Sequence, residues 1–367
     1  MGMWRRGAAV TLQRYIITEI LKPAAAILIV LVIILASYSA ITYLAEAIAG
    51  SLPPETVGLL ILLRIGMSLE VLLPTTFYLS VIIALGRLYK DSEMTALSAC
   101  GVGITGVLKP VFMLSLPVAV LAACASLYIR PESYEKIYRV KDQAQAEFDI
   151  SRLEADNFLE IGNDKYVFFA EHVGNAQQGA QRVFIRVAEG DKRQVILAQR
   201  MIQGEAEANG QRVLVFREGT FYEFPVGGPQ GSISRFEQAE YPLPADAAAG
   251  SRYRRKAADT LELLGSSRLD DIAELQWRLS TPLSTVLLAL VGVPLSKSNP
   301  RRGKYAKLGV AIIIFAVYYQ LFVIAKTWVE KAVVTPWVGI WWVPLLMAVL
   351  AVLLLWRTGE VFYRRPT

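Results

Sequence analysis

Gly86-Arg87-Leu88-Tyr89-Lys90-Asp91-Ser92-Glu93-Met94-Thr95-Ala96-Leu97-Ser98-Ala99-Cys100-Gly101 is a short, mixed-charge, helix-forming stretch between two long apolar runs. Ser92 suits a helix N-cap, and Glu93 then falls in the first turn, where a carboxylate meets the positive end of the helix dipole. Met94 and Leu97 share a face, Cys100 follows at i+6, and Gly101 can end the helix. A plain membrane loop needs no such order. On these residues alone, a capped connecting helix and a docking helix for a soluble partner explain the stretch equally well.

Working outward, crossing about 30 Å of hydrocarbon takes about 20 mostly apolar residues. Residues 23–49, 57–85, 104–129, 279–296, 308–328 and 337–356 meet that demand, in a chain that is 54% hydrophobic. The first run is too long for a removed signal peptide and lacks a small-residue cleavage site. Its polar lead-in, residues 1–22, reads as an amphipathic interfacial helix with Leu12, Ile16 and Ile20 on one side and Arg14, Thr18 and Lys22 on the other.

Lys and Arg near the run ends set the orientation. They gather in the N-terminal tail (Arg5, Arg6, Arg14, Lys22), the second connection (Arg87, Lys90, Lys109) and the 296–307 loop (Lys297, Arg301, Arg302, Lys304, Lys307). The C-terminal tail, residues 357–367, adds Arg357, Arg364 and Arg365, whereas the 50–56 connection has none. Both termini and the opening stretch are thereby expected in the cytoplasm. The net charge of +6 is a topology signal and not a sign of nucleic-acid binding.

Residues 130–268 fall on the opposite side and carry both charge signs throughout, as a soluble domain does. After a helical or extended beginning at 131–153, the apolar period changes to two. Strands are predicted over 166–170, 182–187, 194–198, 212–216, 221–224 and 233–236, with Gly162-Asn163-Asp164, Asn209-Gly210 and Gly227-Gly228-Pro229 as turns. Short, evenly spaced strands suggest a sandwich, jelly roll or partial barrel. A basic, alanine-rich stretch at 245–258 then leads back toward the membrane. The expected fold class is a membrane α-helical protein of six transmembrane helices, three before and three after an all-β, jellyroll-like extracytoplasmic insert. The divisions are 1–22, 23–129 with a coupling segment at 86–103, 130–268, 269–356 and 357–367.

Catalytic chemistry has no visible home. His172 is alone among strand residues, and Cys100 and Cys124 offer neither a zinc spacing nor a disulfide framework. No phosphate-binding Gly-x-x-x-x-Gly-Lys-Ser/Thr loop occurs, and the glycines of Gly101-Val102-Gly103-Ile104-Thr105-Gly106 open a membrane helix after no strand. Energy for any transport must come from a partner or a gradient. Inside the apolar runs, Arg64, Glu70 and Lys326 are the ionisable residues that stand out. Such groups face a bundle interior, a pathway or an interface.

The opening stretch resembles the coupling helix of the lipopolysaccharide-export ABC transporter permeases, the LptF/LptG family. The matching residues are Gly86-Arg87-Leu88-Tyr89, Ser92-Glu93-Met94-Thr95 and Ala99-Cys100-Gly101. Ala273-Glu274-Leu275-Gln276-Trp277-Arg278-Leu279, Val293-Pro294-Leu295-Ser296 and Asn299-Pro300-Arg301-Arg302-Gly303-Lys304 are similar to the F-type branch, and Arg14-Tyr15 also fits. The resemblance implies a non-catalytic permease subunit in the inner membrane of a Gram-negative bacterium. Its implied partners are a G-type permease homologue, two copies of a cytoplasmic ATPase that binds ATP and Mg²⁺, and a periplasmic jellyroll bridge protein. Its implied substrate is lipopolysaccharide. Glu93 would meet an ATPase arginine, with Tyr89, Ser92, Met94, Leu97 and Cys100 in the docking element; Lys326, Arg64 and Glu70 would serve the substrate.

One departure stands out. Residues 37–49 lack the Lys or Arg that the family often places near the outer end of the first helix, and include Glu46. Alternatives are a permease of another ABC exporter (lipoprotein release or efflux), a non-transporting receptor and a gradient-driven carrier. Six runs with an insert after the third argue against the first, and the missing ionisable relay weakens the last.

Overall fold

Apolar runs of this length close their backbone hydrogen bonds within one segment by forming helices, the solution open to a single segment in hydrocarbon. The computed structural model describes residues 2–48, 52–146, 158–161, 166–174, 179–189, 192–204, 213–225, 231–242, 254–297 and 308–357. Among them are α1 (Gly2–Ile48), α2 (Val57–Lys90), α3 (Glu93–Ala99), α4 (Ile104–Cys124), α5 (Arg130–Ala146), α6 (Thr260–Gly265), α7 (Leu269–Ser296), α8 (Leu308–Glu330) and α9 (Trp342–Arg357). Among the described residues, five spans are long and apolar enough to cross a membrane: Thr11–Ile48, Pro54–Lys90, Gly106–Ala144, Leu269–Ser296 and Leu308–Glu330. The sixth apolar helix, α9, has 16 residues, about 24 Å at 1.5 Å per residue. Residues 337–341, at the start of the expected run, form turns instead.

The polar lead-in and the first apolar run are one unbroken helix, α1, with Pro23 inside it. The predicted face of the lead-in is turned into protein: Ile16 and Ile20 are fully buried with Phe77, Leu85, Leu88, Met94 and Val293, and Leu12 packs against that cluster. α4 runs into α5 through a π-helical turn, Ala125–Ile129. A second cluster gathers Tyr78 and Ile82 of α2, Leu288 and Val291 of α7, Tyr318 and Phe322 of α8, and Val343 and Met347 of α9. α7 is the core helix, with 56% of its apolar window buried against 6% for α1.

The chain divides into two compact units, one of residues 1–37, 63–135 and 253–367, the other of residues 38–62 and 136–252. In the second, six strands pair antiparallel in chain order: β1 (Phe158–Ile161), β2 (Tyr166–Val173), β3 (Ala180–Glu189), β4 (Lys192–Gln203), β5 (Val213–Pro225) and β6 (Ser232–Pro242). Alternate residues such as Val183, Ile185 and Val187 of β3 and Leu214 and Phe216 of β5 point into one core. The stretches 212–216 and 221–224, read as two strands, are one. Glu218, at φ 52°, and Gly219 irregularly continue the ladder and do not break it. Arg182, at φ 52°, sits at the level of the same irregularity in β3, so the disturbance crosses neighbouring strands as a line. The three predicted Gly-containing turns, residues 147–153 of the beginning and most of the 245–258 stretch lie outside the described residues.

The α8–α9 connection is held on α7 by one side chain. Gln276 Nε2 donates to Pro336 O (2.7 Å), and Gln276 Oε1 accepts from Ile340 N (3.1 Å). Gly339 makes this possible: its φ is +46°, and a Cβ there would lie 2.1 Å from Gln276 Oε1. Gly339→Ala should therefore displace the amide and cost roughly 1–3 kcal/mol, read as a lower midpoint in thermal melts of the detergent-solubilised protein. Val338→Ala, an exposed control next to it, should melt like the wild type.

Candidate functional site

Two polar features lie at opposite ends of the helical bundle in the first unit. At one end is α3. Its C-terminus closes by two bonds, Val102 N to Leu97 O (2.9 Å) and Gly101 N to Ser98 O (3.0 Å), with Gly101 at φ +85°. This glycine-terminated closure satisfies the last carbonyls. The N-terminus differs from expectation. Ser92 occupies the cap position in a left-handed conformation, φ 61°, and its side chain makes no capping bond. Its backbone does the work: Ser92 N donates to Tyr89 O and Ser92 O accepts from Ala96 N. The left-handed residue reverses the chain tightly between α2 and α3, and that geometry keeps the hydroxyl from capping.

Of the predicted docking residues, Met94 is buried and Leu97 and Tyr89 pack against the same cluster, so they anchor α3 to the bundle. Thr95, Ala96, Ser98, Ala99 and Cys100 form the exposed face, with Glu93 half-buried beside it. Glu93 Oε2 accepts a hydrogen bond from the Tyr15 hydroxyl of α1 at 2.6 Å. Both cysteines are free thiols.

At the other end is a buried ionic network centred on Glu274 of α7, whose side chain has no solvent exposure. Glu274 Oε1 accepts from Arg130 Nη1 (2.5 Å) and Arg278 Nε (3.3 Å), and Oε2 accepts from Lys326 Nζ (2.5 Å). Arg130 Nε also pairs with Glu70 Oε1 at 3.0 Å. Glu70 Oε2 accepts from Ser126 Oγ (2.9 Å), and Oε1 from Trp277 Nε1 (3.4 Å). Arg278 uses its remaining donors on backbone: Nη1 reaches Ala258 O and Thr260 Oγ1 at 3.0 Å, and Nη2 reaches Lys256 O at 3.2 Å. Thr260 in turn donates to Leu127 O inside the π-helical turn (2.8 Å). Such a turn leaves carbonyls in need of outside donors.

Of the predicted substrate residues, the structure brings Glu70 and Lys326 into this network and leaves Arg64 outside it. Arg64 is half-buried and has no ion-pair partner among the described residues. Glu70 pairs with Arg130, not with Arg64. Arg130, Glu274 and Arg278 were not singled out by ionisable chemistry. They stand at the edges of apolar runs, where a charge looks like the end of a span. The spacing Glu274-x-x-x-Arg278, which puts opposite charges on one helix face, was the available signal.

Beside the network is a cavity of about 50 Å³ between α2, α7 and α8, with Glu70, Trp277, Ser284, Phe315, Tyr318 and Phe322 among its lining. Lys326 Nζ lies 5.2 Å from the centre of the Trp277 ring, within cation–π range. Three cations (Arg130, Arg278, Lys326) meet two carboxylates (Glu70, Glu274), so the network carries one surplus positive charge. Lys326 is its most exposed member, at 14%.

Apolar membrane-length helices with a β insert and an ordered polar connector define a multi-pass membrane protein. Residues 14–357 match the lipopolysaccharide export system permease LptF/LptG family, and the chain belongs to it. Relatives include the lipopolysaccharide export system permease protein LptF of Escherichia coli (strain K12) and that of Shigella flexneri. Each is 26% identical over 363 residues, covering 95% of this chain and 95% of the relative.

The surplus charge makes an ordered prediction. Removing Glu274 leaves three buried cations against one carboxylate, whereas removing Lys326 leaves a balanced set. Breaking a buried pair so that charge is stranded costs about 3–5 kcal/mol. Glu274→Ala should therefore lower the thermal midpoint of the purified protein far more than Lys326→Met does. Equal losses would mean that Lys326 is simply part of the scaffold.

Proposed function

We propose that this chain is the F-type permease subunit of an ATP-driven ABC transporter that extracts lipopolysaccharide from the inner membrane of a Gram-negative bacterium. The observation that carries the reading is α3. It is a short helix closed by Gly101, fixed to the bundle by Met94 and Leu97, and it offers a small polar face with Glu93 at its edge. Family membership over residues 14–357 supports the same reading.

In this reading α3 lies in the cytoplasm with both chain termini, and the β unit lies in the periplasm. Two copies of a cytoplasmic ATPase bind ATP and Mg²⁺ and hydrolyse the nucleotide. One of them receives α3, with an arginine meeting Glu93. A G-type homologue completes the membrane portion, and the β unit passes substrate to a periplasmic jellyroll bridge protein by adding a strand at a sheet edge. The protein itself catalyses no bond cleavage.

Lipopolysaccharide has several acyl chains and phosphates, so it requires apolar walls and cations. Lys326, the least buried member of a network with a surplus positive charge, supplies one cation, and the unpaired Arg64 supplies another. Glu70 acts indirectly, by holding Arg130.

The test is co-isolation. The wild-type protein should purify with an ATPase, and Glu93→Ala should lower the amount recovered at least about tenfold, as losing a charge-assisted contact does, while the permease stays in the membrane. A wild-type protein that never co-isolates with an ATPase overturns the proposal. A photocrosslinker at exposed Val323 or Ile324 of α8 should capture lipopolysaccharide; capture of a lipoprotein instead would assign the chain to a different exporter class.

A further inference from the structure

α1 is weakly enclosed, and its hold on the first unit is local. Between Thr11 and Ser37 its buried side chains are Ile16, Glu19 and Ile20. The same turn makes two polar links to the joint between α2 and α3. The Tyr15 hydroxyl donates to Glu93 Oε2 at 2.6 Å, at the start of α3. Glu19 Oε2 accepts from Arg87 Nη2, near the end of α2, while Glu19 Oε1 accepts from Lys22 Nζ at 2.8 Å. Tyr15 and Glu19 are four residues apart and so share a helix face. One turn of α1 thus grips both sides of a chain reversal whose pivot, Ser92, has φ 61°.

We propose that Tyr15 is a positioning residue that acts through Glu93, tying α3 to α1 so that a push on α3 displaces the first turns of α1. This rests on the reading of α3 as the ATPase-docking helix. A carboxylate accepts hydrogen bonds on both oxygens. Tyr15 occupies Oε2, and Oε1 stays available to a partner's cation. A hydroxyl suits the role better than an arginine, because it orients the carboxylate without neutralising it.

The link is also of an adjustable kind. Tyr15 is 37% exposed, and Arg87 Nε is buried without a hydrogen-bond partner among the described residues. This set of bonds is therefore not saturated, in contrast to Glu274. Shifting it strips fewer groups of their partners.

The experiment uses the assembled transporter in proteoliposomes loaded with lipopolysaccharide, comparing wild type, Tyr15→Phe, Glu93→Gln and the double variant. Tyr15→Phe keeps the ring and removes one exposed hydrogen bond, so lipopolysaccharide extracted per ATP hydrolysed should fall about threefold, more than any fall in co-isolated ATPase. Because Tyr15 acts through Glu93, the double variant should be no worse than the worse single one. An unchanged ratio in Tyr15→Phe, or two effects that multiply, overturns the proposal.

Hydrogen exchange on the permease alone separates this proposal from the docking reading. Amides 93–100 should exchange faster in Tyr15→Phe, with the thermal midpoint unmoved, even if no ATPase ever binds. Unaltered exchange there means that Tyr15 does not hold α3.

Discussion

Glu274 constrains the bundle more tightly than any apolar contact does. A carboxylate with no solvent exposure among membrane-crossing helices persists only if cations and donors surround it. Those partners come from different parts of the chain: Arg130 at the α4–α5 joint, Arg278 one turn along α7, and Lys326 near the end of α8. Each partner brings further commitments. Arg130 recruits Glu70 of α2, and Arg278 fastens residues 256–260 by their carbonyls and the Thr260 hydroxyl. The π-helical turn fits the same scheme, since it presents Ser126 to Glu70 and the Leu127 carbonyl to Thr260. Sliding any of these helices by one turn, about 5.4 Å, would strand charges in an apolar interior. The end of the bundle that carries Glu274 is therefore rigid in register as well as in packing.

The α3 end is built on another principle. Met94, Leu97 and Tyr89 bind it through apolar contact, which is non-directional and tolerates small shifts. Its polar bonds, Tyr15 to Glu93 and Arg87 to the buried Glu19, each include a partly exposed donor, Tyr15 or Arg87, with water as an alternative partner. A bundle locked at one end by a saturated ionic network and held at the other by exchangeable bonds yields at the second end when pushed. In the reading of α3 proposed above, that asymmetry is what a helix receiving force from a soluble partner requires.

Much of this was legible in the sequence, and the failures share a cause. Hydropathy located the membrane helices because lipid imposes one backbone solution on each long run. Period-two alternation located most strands because one face of the sheet is buried. Gly101 was readable as a helix end, since the left-handed closure favours glycine. Arg64 and Glu70 were visible because each interrupts an apolar run. Arg130, Glu274 and Arg278 were not, because hydropathy treats a charge at a run's edge as the place where the membrane ends. Their partners lie up to 144 residues away, a separation over which local pattern carries no information. The fusion of two expected strands into β5 has a similar origin. Glu218 and Gly219 look like a turn locally, whereas the neighbouring strands β4 and β6 hold both sides of them in the ladder.

The acidic residue at the end of α1 takes on a different sense in the structure. Residues 37–49 have Glu46 and no Lys or Arg, which on the sequence alone sets a negative charge where anionic substrate would be met. In the second unit, however, Glu46 is paired with Lys141 at 2.9 Å, and Lys141 also lies 5.5 Å from the centre of the Tyr43 ring. That stretch of α1 is therefore neutralised and does not repel phosphate, nor does it attract it. Within the first unit, the ionic network holds one cation more than its carboxylates balance, and Lys326 is the member that retains access to solvent. In the proposed reading, attraction for an anionic lipid falls to Arg64 and to a lysine on α8 whose position is set by Glu274. The residue that locks the bundle also places the charge that would recognise the substrate.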